Sequence, residues 1–315
     1  MTIHQDKELG FENIAVVVLA HNRTSHLNTV LASLEISEGF DFCSLVFACD
    51  RPTLEVRSIV HDFSHARKTI LVNERSPISI AQAINRNLFN GLNEAFRNTT
   101  TQIVMVLEDD IVVSPDFLVF TIEIFQKYSK KSNFRGLNLF SKMECDARAA
   151  NQYVIGNFGL GWGWAINRTT FEKFLTFWNG EEDNHWDFLV EPFCRTGFIV
   201  NPFRSRIKNI GMDETASHTS GESAKKLAAE IEQSFNSNIL LRDTVILTDE
   251  RFSWATDYFQ RKRSNRLLWF LILLLARMRF WLYGSGTGKK RVTIKFYSLI
   301  KFAYEKIGNF YKTRV

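Results

Sequence analysis

Residues 103–118 read Ile-Val-Met-Val-Leu-Glu-Asp-Asp-Ile-Val-Val-Ser-Pro-Asp-Phe-Leu, and this stretch decides the fold. Its first five residues are apolar and rich in β-branched side chains, which is typical of a strand buried on both faces of a parallel sheet. Three consecutive carboxylates, Glu108, Asp109 and Asp110, follow directly. We therefore expect these acids at the carboxyl end of a buried strand, where open α/β sheets bind their ligands.

Three adjacent carboxylates repel one another, and burying even one of them without a partner is costly. A divalent cation would supply the compensating charge. Mg²⁺ and Mn²⁺ prefer oxygen ligands, and Mg²⁺ is usually held by one or two carboxylates together with substrate phosphates. The alternative is an acidic cap on an exposed loop. Directly after the acids, Ser114 and Pro115 predict a helix start, with Ser114 as N-cap and Pro115 at the first helical position.

The preceding sequence alternates between apolar runs and helical patterns. Residues 14–20 and 42–48 are apolar runs that end in polar loops, and residues 70–72 form a shorter one. Helical periodicity covers residues 27–34 and 81–96. This alternation predicts an α/β fold with a mostly parallel sheet between layers of helices. Neither G-x-G-x-x-G after the first strand nor G-x-x-x-x-G-K-[ST] occurs, which excludes the dinucleotide and P-loop classes.

Four features occur in one order along the chain. They are the opening Ile-Ala-Val-Val-Val-Leu-Ala-His-Asn-Arg at 14–23, a second strand ending in Asp50, the acids followed by Val-Ser-Pro-Asp-Phe at 113–117, and Gly-Leu-Gly-Trp at 159–162. Together they resemble GT-A fold glycosyltransferases, most of all the N-acetylglucosaminyltransferase I family of inverting, nucleotide-sugar-dependent enzymes. The resemblance spans roughly residues 12–220 and implies a Rossmann-like GT-A fold with a UDP-sugar as donor.

The resemblance also implies roles for single residues. Arg23 and Asp50 match residues that grip the uracil and nearby groups of UDP. Glu108 and Asp109 match residues near the nucleoside, with Asp109 facing the ribose. Asp110 matches the direct metal ligand, usually to Mn²⁺, with Mg²⁺ as the alternative. Adjacent acids at a strand end point in different directions, which suits this division of roles.

The loops around these residues depart from those of the animal enzyme at His21, Asn22 and the segment after Asp50. The donor sugar therefore stays open. GlcNAc follows from the resemblance, whereas a family-2-like transferase would use UDP-galactose or UDP-glucose. A third hypothesis is a catalytically silent carbohydrate-binding protein of the same fold.

The acceptor side is predicted from residue 129 onwards. Trp162 lies in a glycine-rich segment, 156–164, where the backbone can approach a ligand closely and an indole can stack on a sugar ring. Trp164 is interpreted equally well as a core residue. An inverting transfer needs a base for the acceptor hydroxyl. The Trp-Asp pair that ends at Asp187 matches the base of the resembled family, with Glu182 and Asp183 as competing candidates.

Two further segments have counterparts in the resembled family. A basic loop offers Arg204 or Arg206 to the acceptor or the diphosphate. A Ser-His pair places His218 near the metal and the phosphates, where a merely solvated histidine is the alternative.

Charge divides the chain, which has 315 residues, 45% of them hydrophobic, and a net charge of +5. Residues 251–315 contain 15 Lys and Arg but only 2 Asp and Glu. We predict a GT-A domain at 1–250, with its nucleotide-sugar half at 12–128 and its acceptor half at 129–250. Residues 251–315 form a basic, amphipathic helical tail. Such a tail is typical of binding to an anionic membrane surface, and the alternative is a helix pair that contacts a partner chain or forms an oligomer.

The cysteine spacing and the apolar runs of the sequence indicate the cellular compartment and the remaining binding partners. The four cysteines have neither Cys-x-x-Cys spacing nor the density of a disulfide scaffold, which favours a reducing compartment. Residues 1–13 lack the apolar core of a signal peptide, and the longest apolar run, 267–276, is about half of a membrane span. We expect a cytoplasmic protein, peripheral on the inner face of a membrane, with a glycan or lipid-linked acceptor. No nucleic-acid reading motif is present.

Overall fold

The computed structural model describes residues 9–77, 79–141, 152–156, 160–183, 186, 190, 193–194 and 196–211. The predictions for Asp187, for His218 and for the tail at 251–315 lie outside these residues. The chain divides into two compact units, Met1–Asp257 and Tyr258–Val315, and the domain boundary at residue 250 stays a prediction. Among the described helices, none is both long and apolar enough to cross a membrane.

The described part contains ten strands and five α-helices, with short 3-10 helices at Phe11–Asn13 and Phe40–Phe42. The strands are β1 Ile14–Ala20, β2 Ser44–Asp50, β3 Lys68–Asn73, β4 Ile103–Glu108, β5 Ile111–Val113, β6 Phe134–Asn138, β7 Tyr153–Gly156, β8 Trp164–Asn167, β9 Phe198–Pro202 and β10 Ile207–Asn209. The helices are α1 Thr24–Glu35, α2 Leu54–Asp62, α3 Ile80–Arg97, α4 Phe117–Tyr128 and α5 Arg168–Phe174.

Eight strands form one sheet in the order β3-β2-β1-β4-β8-β6-β9-β7. The first four are parallel, whereas β8 runs antiparallel to both β4 and β6. Helices flank this sheet, so the predicted α/β class with a mostly parallel sheet is confirmed. A second, two-stranded sheet pairs β5 with β10 in antiparallel orientation. It begins immediately after the acid triplet, and it brings residues 207–209 back to the edge where β4 ends.

Strand β1 is buried on both faces because its alternate side chains enter two separate hydrophobic cores. Val16 and Val18 belong to the core that contains residues of α1, α2 and α4, whereas Ala15 and Val17 belong to the core that contains residues of α3 and α5. Burying a Val or Leu side chain fully is worth about 1.5 to 3 kcal/mol. A continuous apolar run is thus what this central position requires.

Helix α3 lies close to the sheet because it carries Gly91 at the contact. A Cβ atom on Gly91 would lie 2.6 Å from Cγ1 of Val17 and 3.2 Å from Cβ of Ala48. Glycine costs a helix interior about 1 kcal/mol relative to alanine. Here the missing side chain lets the backbone of α3 approach β1 and β2.

The predicted start of the helix after the acids is wrong by two residues. Helix α4 begins at Phe117 rather than Pro115. The Ser114 backbone N–H donates to the carbonyl of Arg206 (2.8 Å), and its hydroxyl donates to Oδ1 of Asp116 (2.5 Å). Ser114 therefore connects the turn to the loop before β10 instead of capping the helix.

Of the two arginines predicted to face the acceptor or the diphosphate, Arg206 is buried in an ion pair, so that half of the prediction is wrong, whereas Arg204 stays a prediction. Its Nε donates to Oδ2 of Asp116 at 3.1 Å, and both side chains are only 4% exposed. The guanidinium also lies 4.7 Å from the ring centroid of Phe120. Arg206 is a core residue that joins β10 to α4.

Candidate active site

The carboxyl edge of the parallel strands gathers most of the predicted site residues. Asp50 ends β2, Glu108 ends β4, and Arg23 precedes the first residue of α1. The parallel register aligns Leu19 of β1 with Glu108 and Ala20 with Cys49. The three strands β1, β2 and β4 therefore end level with one another, and the loops beyond them lie at the same edge of the sheet.

Asp110 is the most unusual group at this edge. Its Oδ2 accepts a hydrogen bond from Nη1 of Arg23 at 2.5 Å, and its backbone carbonyl accepts from the N–H of Ile210 at 2.9 Å. The residue is only 6% exposed, and its Oδ1 has no hydrogen-bond partner within the described part of the chain. Burial raises the pKa of Asp110, against the opposing positive charge of Arg23.

Asp109 is buried beside it and points towards β1. Its Oδ2 accepts from the backbone N–H of His21 at 3.1 Å. Burial, with a further contribution from the negative charge of Asp110, raises the pKa of Asp109 to about 6. The hydrogen bond from His21 and the charge of Arg23 oppose this rise. By contrast, Glu108 is exposed at the end of β4.

Asp50 is held by three residues that the sequence reasoning did not assign to the site. Its Oδ1 accepts from Nδ2 of Asn73 at 3.2 Å, and its Oδ2 accepts from Nε and Nη2 of Arg51 at 3.3 and 3.2 Å. Nδ1 of His21 lies 2.6 Å from the Asp50 carbonyl, which requires a proton on that nitrogen. The register of β2 and β3, which pairs Asp50 with Asn73, is the signal that sequence analysis lacked.

The backbone of Arg51 has a positive φ of 43°. This conformation is costly for a residue with a long side chain, and such strain tends to persist at functional sites. It turns the chain directly after β2, and the guanidinium folds back onto the carboxylate of Asp50. The acceptor atoms of Asp50 are therefore fixed in orientation before any ligand arrives.

The two tryptophans of the glycine-rich segment differ in burial. Trp162 is half-buried and packs edge-on against Phe140, with ring centroids 5.0 Å apart. Trp164 is buried in β8, next to β4, and its ring lies 5.3 Å from that of Trp186. Trp164 is a core residue, as one of the two interpretations held. Trp162 keeps part of its surface accessible, and its role at the acceptor stays a prediction.

A second acid triplet, Glu181 to Asp183, is attached to the start of α3. The Glu181 carboxylate accepts from Arg86 (3.0 and 3.2 Å) and Arg75 (3.3 Å), and the contact with Arg86 lowers the pKa of Glu181. Asp183 accepts from the hydroxyl of Ser79. Oε1 of Glu182 accepts from the backbone N–H of Asn179 at 3.0 Å, whereas its Oε2 is buried without a partner among the described residues.

The geometry around Asp110 fits a divalent cation held mainly by the substrate. Within the described residues, no group of three or more His, Cys, Asp and Glu side chains could hold a metal ion. A cation bound by one or two carboxylates and by diphosphate oxygens needs no such group. The buried Oδ1 of Asp110 provides one unsatisfied oxygen of the required kind, and Asp109 lies next to it.

Gly211 packs against the ion pair that Asp110 forms with Arg23. A Cβ atom at Gly211 would lie 2.0 Å from Oδ2 of Asp110 and 2.5 Å from Nη1 of Arg23, so no larger residue fits without displacing them. The Gly211 N–H donates to Oδ1 of Asn209 at 2.8 Å, which fixes the turn after β10. The two-stranded sheet thus positions one wall of the site.

Comparison with known proteins gives a family match over residues 15–201, to Glycosyl transferase family 2. No curated protein matches the chain. A crystal structure of S. aureus TarS 1-349 is similar at 12% identity and a TM-score of 0.47, covering 70% of each chain. The mannosyltransferase PcManGT from Pyrobaculum calidifontis, in complex with GDP-Man and Mn²⁺, is similar at 14% identity and a TM-score of 0.41, covering 60% of this chain and 56% of that one.

Proposed function

The chain belongs to Glycosyl transferase family 2 and is a glycosyltransferase, and from this premise we propose that it is metal-dependent and inverting. It moves a sugar from UDP to a hydroxyl group of a glycan or lipid-linked acceptor. GlcNAc is proposed from the resemblance to the N-acetylglucosaminyltransferase I family, which is not the family that the comparison matches, and UDP-galactose or UDP-glucose is the alternative for a family 2 enzyme. The observation that supports this best is the buried Oδ1 of Asp110, which has no partner among the described residues and lies beside Asp109 at the carboxyl edge of the sheet.

Asp110 would hold Mn²⁺ or Mg²⁺, which supplies positive charge as the UDP diphosphate leaves. Arg23 lies against the other oxygen of the same carboxylate and reduces its negative charge. Asp109 and Glu108 face the ribose side of the nucleoside. Asp50, fixed by Arg51 and Asn73, offers an oriented acceptor to the N–H group of uracil. Trp162 would stack on a sugar ring, and His218, which lies outside the described residues, would contact the phosphates.

Donor choice is tested by thermal denaturation with UDP-GlcNAc, UDP-galactose and UDP-glucose, each with and without Mn²⁺. A ligand at 100 times its Kd stabilises the folded protein by about 2.7 kcal/mol. We expect the largest rise in Tm with UDP-GlcNAc and Mn²⁺, accompanied by slow release of UDP. A larger rise with UDP-galactose or UDP-glucose would favour the second donor hypothesis, and binding without any UDP release or transfer would favour a silent carbohydrate-binding protein. Equal UDP release with and without Mn²⁺ would refute metal dependence.

Asp187 acts as the base that takes the proton of the acceptor hydroxyl while its oxygen attacks the anomeric carbon in a single displacement. Two observations support this choice over its neighbours. Asp183 is hydrogen-bonded to Ser79, and Glu182 accepts from the backbone of Asn179. Trp186, directly before Asp187, packs against Trp164 of β8, the strand that neighbours β4.

The matched pair Asp187→Asn and Asp183→Asn tests this assignment. General bases contribute about 100-fold to 10,000-fold to the rate. We expect Asp187→Asn to lower transfer by at least about 100-fold while donor binding persists, and Asp183→Asn to change transfer only slightly. The reverse pattern would assign the base to Asp183.

The tail, residues 251–315, binds the anionic inner face of a membrane where lipid-linked acceptors are assembled. Its 15 basic residues motivate this, at about 1 kcal/mol each near an anionic surface. The full chain should bind vesicles containing phosphatidylglycerol at low salt, dissociate at high salt, and ignore phosphatidylcholine vesicles. If it binds neither vesicle and sediments as an oligomer, the partner-chain hypothesis is the better one.

A further inference from the structure

A groove of about 510 Å³ lies between strand β3 and helix α3. Strand β3 is an edge strand of the large sheet, and α3 packs mainly on β1 and β2. The outer side of α3 and the face of β3 therefore leave a space between them. None of the acids of the candidate active site lines this groove.

Side-chain amides dominate the walls of the groove. Asn87, Asn90 and Asn93 follow one another on α3, and Asn73 contributes from the end of β3. Asn87 donates to the carbonyl of Ala48 at 2.7 Å, which gives it a structural role. Asn90 is exposed and Asn93 is half-buried, and neither side chain bonds to any residue that the structure describes.

Asparagine is a poor choice for these helix positions unless it binds something. Its side chain competes with the helix backbone for hydrogen bonds, and it ranks well below alanine in helix propensity. Positions 90 and 93 lie in the interior of the 18-residue helix α3, away from its ends. A residue type that lowers helix stability and makes no stabilising contact in the fold tends to mark a functional site.

The remaining lining defines the charge and shape of a ligand. Glu94 and Arg97 form an ion pair at 2.8 Å, so the two charged residues neutralise each other. Leu71, whose side chain lies on the face of the sheet that α3 covers, gives the groove an apolar side. Amides both donate and accept hydrogen bonds, as sugar hydroxyls do. Without a net positive charge, the groove does not favour a phosphate-rich ligand.

We propose that this groove binds a neutral oligosaccharide at a second carbohydrate site outside the donor cleft. Asn90 and Asn93 supply the hydrogen bonds, and Leu71 contacts the apolar face of a sugar ring. Nδ2 of Asn73 donates to Oδ1 of Asp50, so the groove and the donor side of the active site share one amide. A glycan bound here is held next to the carboxyl edge of the sheet. The assignment does not depend on the donor sugar or on the metal.

The test measures binding of the full chain to chitotetraose, maltotetraose and mannotetraose by isothermal titration calorimetry in EDTA without nucleotide. We expect wild-type protein to bind at least one of the three. The double variant Asn90→Ala, Asn93→Ala should bind the same sugar at least tenfold more weakly. Its Tm should equal or exceed that of wild type, because alanine is the better helix former.

The control is Asn28→Ala, which removes an exposed asparagine from α1 and should leave sugar binding unchanged. Failure of wild type to bind all three sugars would overturn the proposal. So would equal affinity of the double variant, because the sugar would then occupy another site such as the acceptor cleft. Since metal and nucleotide are absent, neither result bears on the proposed donor chemistry.

Discussion

The chain contains two triplets of consecutive acids, 108–110 and 181–183, and the fold gives them opposite environments. In the first, Asp109 and Asp110 are buried with raised pKa values, and one oxygen of Asp110 has no partner in the described part of the chain. In the second, Glu181 has a lowered pKa because Arg86 and Arg75 bind it. One oxygen of Asp110 is paired with Arg23 and the other is left for an external cation, whereas both oxygens of Glu181 are paired with arginines of the chain. In the second triplet only Oε2 of Glu182 is buried without a partner among the described residues.

The difference comes from the element that carries each triplet. The first follows a fully buried strand, so burial is imposed on its carboxylates by the sheet. The second lies in a loop against the first turns of α3, where Gln82 and Asn85 donate to the carbonyls of residues 181 and 182. A buried charge that also has a raised pKa is a candidate for ligand binding, as at Asp110, whereas the paired charge of Glu181 forms a structural contact.

The largest expected effect is on activity. Asp110→Asn should lower metal-dependent UDP release by about 100-fold to 1,000-fold, since charge stabilisation by a metal is worth several kcal/mol and each 1.36 kcal/mol is tenfold in rate. Glu181→Gln, in the other triplet, should keep the rate within a few-fold of wild type. Steady-state UDP release with Mn²⁺ measures both. A smaller loss in Asp110→Asn than in Glu181→Gln would remove the distinction between the triplets.

The pH dependence of stability should have opposite signs for the two triplets. Because the folded state raises the pKa of Asp109 to about 6, ionisation opposes folding as pH rises from about 4 through 6. Asp109→Asn avoids this cost and should be more stable than wild type at pH 8, by an amount on the order of 1 to 3 kcal/mol, with no advantage below pH 4. Denaturant unfolding in EDTA without nucleotide measures this.

Glu181→Gln provides the comparison for that experiment. The lowered pKa of Glu181 means that its contribution is present above the pKa of the unfolded chain and is lost as pH falls through the folded value. This variant should be less stable than wild type at pH 8 and equal to it in acid. If both variants are more stable than wild type at pH 8, or both are less stable, the opposite directions of the two pKa shifts are contradicted.

A moderate effect is expected from Arg86→Met, which leaves the carboxylate of Glu181 without its buried partner. Arg86 is 6% exposed and Glu181 is 45% exposed, so water offsets part of the loss. We expect about 1 to 2 kcal/mol of destabilisation, below the 3 to 5 kcal/mol typical of fully buried pairs. Arg97→Met, which breaks the exposed pair with Glu94, should cost less than about 0.5 kcal/mol. If urea unfolding gives the same loss of unfolding free energy for the two variants, the pair of Arg86 with Glu181 stabilises the fold no more than the exposed pair does.

The smallest expected effect separates helix capping from the contact with the second triplet. Ser79 caps α3 and also donates to Asp183, whereas Thr53 only caps α2. Loss of a cap costs about 1 kcal/mol. We expect Thr53→Ala to cost that amount and Ser79→Ala to cost about 0.5 kcal/mol more. If Ser79→Ala costs no more than Thr53→Ala in thermal unfolding, the Asp183 contact contributes nothing to stability.

Part of the candidate site was predictable because strand ends are visible in sequence. Apolar runs of β-branched residues placed Asp50 and the first acid triplet at one edge, since parallel strands end on the same side of a sheet. The contacts of His21 and Asn73 were not predictable, because they depend on the register between neighbouring strands. The same holds for Gly211, which reaches Asp110 only through the pairing of β10 with β5. The contact of Arg51 with Asp50 depends instead on the positive φ of Arg51.

The sequence by itself determined the α/β class, the order of strands β1 to β4 with helices α1 and α3, and the position of the acids after a buried strand, whereas helix α2 was not predicted. Hydrophobic periodicity and the polar residues at strand ends are local properties, so they can be recognised in the sequence before the fold is known. Only the tertiary structure decided that Arg206 lies in the core with Asp116, that Arg23 contacts Asp110, and that the second triplet is bound by α3. Charge pairing depends on distances across the fold, and the partners in these pairs, 87 to 95 positions apart, carry no sequence signal of their contact.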